Sequence, residues 1–158
     1  MLEKARQLLD GDQEALDFEA PVRAARVGVE PVGTGQTGAT YQVTIFDDAE
    51  SPSGTYIVKL GAQDMDVRER VALGYRAEHA FYSRAAATLD VPVPQCVYVD
   101  ISEDARDFVM VMSDCAPAKQ ADQIRGCSPA QATSAVHALA GLHGPRWCDP
   151  AWLEFDGV

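Results

Sequence analysis

The chain has 158 residues, of which 47% are hydrophobic and 23% are charged, a composition ordinary for one globular domain. Its formal net charge of −11 excludes the basic surface that nucleic-acid binding requires. No stretch approaches the roughly 18 consecutive apolar residues of a membrane span, and the N-terminus lacks the apolar core of a secretory signal. The four cysteines form no C-x-x-C pair, which predicts reduced, partly buried thiols. We therefore expect a cytoplasmic protein without a nucleic-acid or membrane partner.

The first part of the chain predicts a helical start and three strands. Residues 1–19 carry spaced apolar anchors and predict one or two short helices. Segments rich in β-branched and aromatic residues then predict three strands: ARVGVEPV at 25–32, TYQVTIF at 40–46 and TYIVKL at 55–60. Between the last two strands, DDAESPSG at 47–54 is acidic and contains proline and glycine, which predicts a turn.

The middle of the chain predicts one long helix and two more strands. Residues 66–89 lack proline and carry one set of residues at three- and four-residue steps: Val67, Val71, Tyr75, His79 and Tyr82. They therefore predict a single amphipathic helix, which the segment VPVP at 91–94 ends. QCVYVDI at 95–101 and DFVMVM at 107–112 alternate around a polar turn and predict strands.

The last part of the chain predicts a linker, a helix and an irregular tail. Residues 113–127 show only weak structural signals and form the linker. Ser128 is then the predicted N-cap of a helix, with Pro129 at its first position and Gly144 as its stop. Residues 145–158 are predicted to be irregular.

The stretch VGTGQTGATYQVTIF, which begins at Val32, contains a G-x-G-x-x-G run at Gly33, Gly35 and Gly38. In a nicotinamide-binding crossover, a helix starts at such glycines and takes the pyrophosphate. In a kinase, a second strand follows them, and backbone N–H groups cover the nucleotide phosphates. Because a strand pattern follows Gly38, the sequence favours the kinase arrangement. A flexible hairpin loop with no ligand is the alternative.

Lys59 lies at the end of the third predicted strand, one residue before its last, and Glu78 lies on the long predicted helix. A lysine at a strand end can simply reach water. In a kinase, however, the strand lysine binds the α- and β-phosphates and a helix glutamate holds its ammonium group in place. Glycine loop, lysine and glutamate in this order therefore predict a nucleotide site. Glu69 is a rival partner on the same helix, but it lies nearer to the helix start.

These stretches resemble the small-molecule kinases of the aminoglycoside phosphotransferase-like superfamily, and most closely its choline and ecdysteroid kinase-like branch with its bacterial relatives. The matching segments span about residues 28–147: VGTGQTGATYQVTI, YIVKL, YRAEHAFYSRAA, VPVPQCVYVDI, FVMVMSDC and ALAGLHGPRW. The resemblance implies an α+β fold, in which a kinase-like N-lobe with a five-stranded antiparallel sheet and one long helix precedes a linker and one C-lobe helix. It divides the chain into the N-lobe with its hinge at 1–116 and an incomplete C-lobe at 117–158.

The resemblance also implies roles for single residues. The nucleotide would be ATP with magnesium; Lys59 would bind its α- and β-phosphates, and Glu78 would orient the lysine. The remaining implied contacts lie in the glycine loop and the adenine hinge: Gly33, Gly35, Gln36, Thr37, Gly38, Met112, Ser113, Asp114 and Cys115. Relatives often have Glu-Asp where this chain has Ser113 and Asp114, which affects one side-chain contact and not the backbone hydrogen bonds to adenine.

The catalytic part of the kinase pattern is missing from this sequence. In the family, this part has the motif H-x-D-x-x-x-x-N, followed by an aspartate that binds magnesium. Here His143, at the end of the last predicted helix, is followed by Gly-Pro and not by the aspartate of that motif. Asp149 and Asp156 are interpreted as solvated acids of the tail. We therefore expect a truncated family member that is inactive alone and holds no metal ligands, and whose small hydroxyl-bearing acceptor the sequence does not specify.

A non-catalytic module that pairs with another chain is the alternative function. The last predicted helix would leave Val136, Leu139 and Ala140 uncovered, and exposed apolar patches attract partners. Such a partner would bind through residues 128–147. A nicotinamide-dependent oxidoreductase is the least favoured interpretation, because a strand and not a helix follows the glycines.

Overall fold

The computed structural model describes residues 26–33, 37–47, 51–119, 121–122 and 124–155. The helices predicted for the first 19 residues lie outside these ranges. Within the described ranges, the chain forms a five-stranded antiparallel sheet and two α-helices. This confirms the α+β fold expected of a kinase N-lobe followed by one further helix. None of the described helices is long and apolar enough to cross a membrane.

All five predicted strands are present in the sheet. They are β1 (Arg26–Pro31), β2 (Gly38–Phe46), β3 (Pro52–Gly61), β4 (Cys96–Ile101) and β5 (Phe108–Ser113). Their spatial order is β1-β2-β3-β5-β4, and every neighbouring pair is antiparallel. The long helix of the chain is inserted between β3 and β4, so β3 and β5 meet at the centre of the sheet although they are far apart in sequence.

The predicted turn at 47–54 is wrong at its C-terminal end, because β3 already begins at Pro52. Proline is compatible with the first position of a strand, where its missing N–H costs no ladder hydrogen bond. The hydroxyl of Ser53 donates to the carbonyl of Ile45 across the hairpin, at 3.2 Å. Strand β3 therefore begins inside the segment whose acidic, glycine-containing composition predicts a turn.

The long helix α1 (Met65–Ala80) is shorter than predicted. Beyond Ala80 the chain continues as a π-helical turn over Phe81–Ala85 and a 3₁₀ turn over Ala86–Thr88. A single α-helix to residue 89 is therefore a wrong prediction. Apolar residues at three- and four-residue steps are compatible with all three helix types, so their spacing does not reveal where one type replaces another.

The core lies between α1 and the sheet. The ring of Tyr75 on α1 stacks on Phe108 of β5, with 5.0 Å between the ring centroids and 4° between their planes. Tyr75, Phe108 and Met110 are exposed by only 3%, 1% and 0%. Fully burying a side chain of this size contributes about 1.5–3 kcal/mol, so this cluster holds α1, and every side chain that α1 presents, against the sheet.

The second helix, α2 (Pro129–His143), begins at the predicted N-cap. The hydroxyl of Ser128 accepts from the backbone N–H of Gln131 at 3.3 Å, and the Gln131 side chain accepts from the N–H of Ser128 at 2.8 Å. This reciprocal arrangement is a capping box. The α-helix stops at Gly144 as predicted, although Gly144 is right-handed and opens a 3₁₀ turn, Gly144–Arg146.

The tail also departs from its prediction. It contains a second 3₁₀ helix, Pro150–Glu154, which Asp149 caps by accepting from the N–H of Ala151 at 3.0 Å. Asp149 also lies 3.3 Å from the guanidinium of Arg146. Asp149 is thus an acid of the tail whose side chain stays 30% exposed and has two partners nearby in sequence. Asp156 lies outside the described residues.

The end of α2 approaches the chain just after the 3₁₀ turn that follows α1. The carbonyl of Gly141 accepts from the N–H of Asp90 at 3.2 Å. A Cβ atom at position 141 would lie 1.6 Å from the carbonyl oxygen of Asp90, so a residue larger than glycine would force the two segments apart. Farther along, the guanidinium of Arg84 lies over the ring of Phe155 at 4.8 Å. These contacts hold the C-terminal end of α2 and the tail, while no residue of α2 is buried.

Candidate nucleotide site

The centre of the candidate site is an ion pair between β3 and α1. The ammonium nitrogen of Lys59 lies 2.7 and 2.6 Å from the two carboxylate oxygens of Glu78. The two side chains are 28% and 27% exposed. Partial burial strengthens the attraction between the charges by lowering the effective dielectric constant, while the remaining exposure leaves the pair reachable by a ligand. The sequence singled out both residues, and the structure brings them together.

The rival partner, Glu69, lies elsewhere. Its carboxylate is 3.4 Å from the guanidinium of Arg106, in the turn between β4 and β5. About two and a half helical turns separate Glu69 from Glu78, which directs the two side chains to opposite faces of α1. Of the two glutamates, Glu78 is therefore the one that faces Lys59.

The sheet register decides which side chains share a face with the ion pair. Lys59 lies opposite Thr40 of β2 and Met110 of β5. Residues directly opposite on neighbouring antiparallel strands project to the same side, so these three share the sheet face that α1 covers. One pleat nearer to the end of β5, Ile57 lies opposite both Gln42 and Met112. This second row extends the same face from the ion pair to the end of β5.

Three residues of the predicted glycine loop are described, while Gly35 and Gln36 lie outside the described residues. Gly33 has a φ of +79°, which residues with a side chain rarely adopt. Gly38 opens β2, where a Cβ atom would lie 2.8 Å from the carbonyl oxygen of Leu60. The connection between the strands alone requires both glycines, so their presence is not by itself evidence of a bound phosphate.

The third described loop residue, Thr37, is tied to α1. Its carbonyl accepts a hydrogen bond from the hydroxyl of Tyr75. The same hydroxyl accepts one from the backbone N–H of Ala62, at 3.0 Å. Sequence reasoning used Tyr75 only as a position on the apolar face and missed this contact. The available signal was its spacing, because Tyr75 precedes Glu78 by three residues and so lies on the same helix face.

The predicted hinge begins at the end of β5. Met112 packs against the core cluster. The hydroxyl of Ser113 accepts from the N–H of Gln95 at 3.0 Å, and the N–H of Ser113 donates to the carbonyl of Gln95 at 2.9 Å. Ser113 therefore ties the hinge to the chain entering β4, and its N–H is already engaged. Cys115 is exposed.

Asp114 connects the hinge to β2. One of its carboxylate oxygens accepts from the side-chain amide of Gln42 at 2.8 Å, and the other accepts from the N–H of Ala116 at 2.9 Å. Sequence reasoning did not select Gln42, because only the sheet register places it on the face that carries Lys59. The bond therefore joins the β2 end of the row formed by Gln42, Ile57 and Met112 to the hinge.

Tyr82 packs against the core cluster, as Met112 and Cys96 also do. Its burial, and after it the negative charge of Glu78, raises the pKa of its hydroxyl, with smaller contributions from Cys96 and Cys115. Burial also raises the pKa of the Cys96 thiol. Both groups are therefore neutral at physiological pH, so neither adds a negative charge that would compete with Glu78 for Lys59.

The described residues bring no three His, Cys, Asp or Glu side chains together. Magnesium at phosphoryl-transfer sites is held by one or two carboxylates together with the substrate phosphates and waters. Glu78 already pairs with Lys59, and Asp114 accepts from Gln42 and from the N–H of Ala116, so the site carboxylates serve contacts within the fold. This part of the chain does not fit a resident magnesium ion on its own.

Comparison with known proteins gives one match. No curated protein and no solved structure matches the chain significantly. The model of the phosphotransferase enzyme family (APH), however, matches residues 28–156. This range runs from within β1 through both α-helices and contains Lys59, Glu78 and the hinge. The chain therefore belongs to the phosphotransferase enzyme family.

Proposed function

We propose that this chain supplies the nucleotide-binding part of an ATP-dependent phosphotransferase that acts on small hydroxyl-bearing molecules. Membership of the family supports the reaction class. The observation that carries the nucleotide part of the proposal is the ion pair of Lys59 and Glu78, which is bidentate and partly exposed. A lysine that served only to reach water would not need a carboxylate on a packed helix.

Lys59 binds phosphate in this proposal. An ammonium group has three N–H donors, and the two carboxylate oxygens of Glu78 occupy two of them. The third is available to an α- or β-phosphate oxygen, as in other kinases. Glu78 restricts the rotamers of the lysine, because both of its carboxylate oxygens accept hydrogen bonds from the ammonium group.

The other predicted contacts surround the rest of the nucleotide. Adenine lies on the row formed by Ile57 and Met112 and hydrogen-bonds to the hinge backbone. Since the N–H of Ser113 already donates to Gln95, we expect the backbone of Asp114 and Cys115 to make these bonds. The backbone of the glycine loop covers the phosphates, through the residues that the resemblance selects: Gly33, Gly35, Gln36, Thr37 and Gly38.

The catalytic step needs groups that these 158 residues do not supply. Phosphoryl transfer requires an aspartate that receives the hydroxyl proton and carboxylate or amide ligands for magnesium. The sequence has no counterpart of the motif that carries them. We therefore propose that residues 1–116 form the N-lobe with its hinge, that 117–158 begin a C-lobe, and that this chain alone binds ATP without transferring phosphate.

Isothermal titration of the full chain with ATP, with and without magnesium, tests this function. Lys59→Ala should weaken ATP binding about tenfold or more, because a charge-assisted hydrogen bond is lost. Lys119→Ala is the matched control, since Lys119 is exposed and its replacement by alanine removes the same positive charge. Equal ATP affinity in the wild-type chain and Lys59→Ala would overturn the site. Phosphate transfer from ATP by the isolated chain would overturn its predicted inactivity.

A second candidate function is favoured by the exposure of α2. Val136 and Leu139 are 62% and 51% exposed on this helix. We propose as the alternative that the chain is a non-catalytic module whose residues 128–147 bind another chain. Sedimentation velocity at micromolar concentration tests it: a complex that Leu139→Glu dissociates would support it, and a monodisperse monomer would count against it.

A further inference from the structure

We propose that Tyr75 is a positioning residue, which holds the first residues of β2 in place beside Lys59, on the neighbouring strand. The hydrogen bonds that support this inference do not depend on what the site binds. Its consequence for phosphate rests on the proposed nucleotide-binding function.

The hydroxyl of Tyr75 both donates and accepts a hydrogen bond. The tyrosine is 3% exposed, and a buried hydroxyl without a partner destabilises a fold. This hydroxyl donates to the carbonyl of Thr37 and accepts from the N–H of Ala62 at 3.0 Å. One atom on α1 therefore joins the residue before β2 to the residue after β3, and these are the two ends of the strand pair that contains Lys59.

The element that carries this hydroxyl is rigidly held. The ring of Tyr75 stacks on Phe108 with a centroid distance of 5.0 Å. Tyr75 and Glu78 are three residues apart on α1 and so share one helix face. The same helix therefore orients Lys59, through Glu78, and locates the start of β2, through Tyr75. A shift of α1 would move both parts of the site together.

The start of β2 has little room to move independently. A Cβ atom at Gly38 would lie 2.8 Å from the carbonyl oxygen of Leu60, so the two strand ends approach closely. The carbonyl of Thr37 and the N–H of Gly38 belong to one planar trans peptide and point in opposite directions. Holding the carbonyl of Thr37 therefore also sets the direction of the Gly38 N–H, which is one of the donors proposed to cover the phosphates.

Tyr75→Phe separates this role from core packing, because it keeps the ring and removes only the hydroxyl. Tyr98→Phe is the matched control: its hydroxyl donates to Asp100 at 3.3 Å on β4, the edge strand farthest from β1 and β2. Two measurements are made on the full chain. The first is amide hydrogen exchange of residues 37–40 without nucleotide, and the second is the affinity for ATP compared with adenosine, which has no phosphates.

We expect exchange at residues 37–40 to become about fivefold faster in Tyr75→Phe and to stay unchanged in Tyr98→Phe, consistent with the loss of one hydrogen bond. ATP affinity should fall by a similar factor while adenosine affinity stays the same. Unchanged exchange in Tyr75→Phe would overturn the tether itself. An equal loss for ATP and adenosine, or global unfolding of Tyr75→Phe by circular dichroism, would assign the hydroxyl to fold stability and overturn the positioning role.

Failure of the proposed function gives a different result. If the wild-type chain binds neither ATP nor adenosine, the nucleotide function and the role of Tyr75 toward phosphate are overturned together. The exchange measurement would still decide whether Tyr75 holds the start of β2. If the wild-type chain binds ATP and Tyr75→Phe binds it equally well, only the positioning role is overturned.

Discussion

The two α-helices of the described residues have nearly equal lengths, 16 residues in α1 and 15 in α2, but they are stabilised differently. α1 buries Tyr75 and Ala80 against the sheet and is linked to it by hydrogen bonds and ion pairs. α2 buries no residue, and its best-defined interactions are its own capping box and the contact of Gly141 with Asp90. Packing against the sheet thus stabilises α1. By contrast, α2 is stabilised mainly by its capping box and its own helix propensity, because it makes few tertiary contacts.

This difference also separates the candidate site from the rest of the chain. A binding site requires side chains whose positions are fixed by packing, and α1 provides this for Glu78 and Tyr75. The exposed surface of α2 provides no comparable support. Changes to the core should therefore affect the site, whereas changes to α2 should leave it intact.

The largest expected effect contrasts the two helix environments directly. Phe108→Ala removes the ring on which Tyr75 stacks and should lower the free energy of unfolding by about 3–5 kcal/mol, because it leaves a cavity in the core. Leu139→Ala on the exposed side of α2 should change it by less than about 0.5 kcal/mol. Urea unfolding followed by circular dichroism measures both, and equal losses would contradict the comparison.

The next effect concerns the arginine that ties α1 to the sheet. The side chain of Arg68 is 17% exposed; it donates to the carbonyls of Ala62 and Arg106 and lies 2.8 Å from a carboxylate oxygen of Asp107. Arg68→Gln should lower the free energy of unfolding by about 2 kcal/mol, since charged hydrogen bonds to partly buried groups are lost. Thermal unfolding by calorimetry checks this value.

Arg125→Gln is the matched control for this arginine. Arg125 is 87% exposed and lies 3.9 Å from Asp122 in the segment before α2, and exposed pairs of this kind contribute little. We expect a change of less than about 0.5 kcal/mol in the free energy of unfolding. A loss as large as that of Arg68→Gln would mean that the segment before α2 is as important to the fold as the sheet contacts of α1.

Removing the N-cap side chain of each helix tests the same difference between α1 and α2, with a smaller expected loss of stability. Asp64 caps α1 by accepting from two backbone N–H groups, and Ser128 caps α2 within its capping box. Replacing either by alanine should cost about 1 kcal/mol. Asp64→Ala should lower global stability, because α1 unfolds with the sheet. Ser128→Ala should instead increase hydrogen exchange within α2 and leave the urea midpoint of the sheet unchanged.

The last prediction concerns the reactivity of the cysteine thiols and not the stability of the fold. The prediction of partly buried thiols holds for Cys96 and is wrong for the other three cysteines, which are exposed. Burial raises the pKa of Cys96, so its reactive thiolate is scarcer at neutral pH than that of an unperturbed thiol. We expect Cys96 to be the last cysteine labelled by a thiol reagent and to react faster as the pH rises. Mass spectrometry of labelled peptides measures the order, and early labelling of Cys96 would contradict its burial.

Much of the fold could be predicted because its signals are local. β-branched and aromatic residues marked all five strands, and Ser128 with Pro129 marked the start of α2. The same local signals failed at Pro52, where a strand starts inside turn-like composition, and after Ala80, where the helix type changes. In both places the tertiary environment selects among conformations that the local sequence permits.

The residues of the candidate site also fall into those that the sequence could select and those that only the tertiary structure reveals. Lys59 and Glu78 could be selected from the sequence, because a lysine ending a strand and a glutamate on a following helix are recognisable one at a time. The sequence did not select Gln42 as a partner of Asp114 or Tyr75 as a partner of Thr37. Their contacts join residues far apart in the chain: the sheet register places Gln42 near the end of β5, and the packing of α1 on the sheet places Tyr75 near Thr37.

The sequence by itself determined the order of strands and helices, the glycines, the lysine and the glutamate, since each depends on residue type and on neighbours a few positions away. The tertiary structure decided that Glu78 rather than Glu69 faces Lys59, because helix phase and the packing of α1 on β5 set which side chain points to the sheet. It also decided that α1 buries Tyr75 and Ala80 against the sheet while α2 buries no residue, because burial depends on the elements that pack around a helix as well as on the helix's own residues.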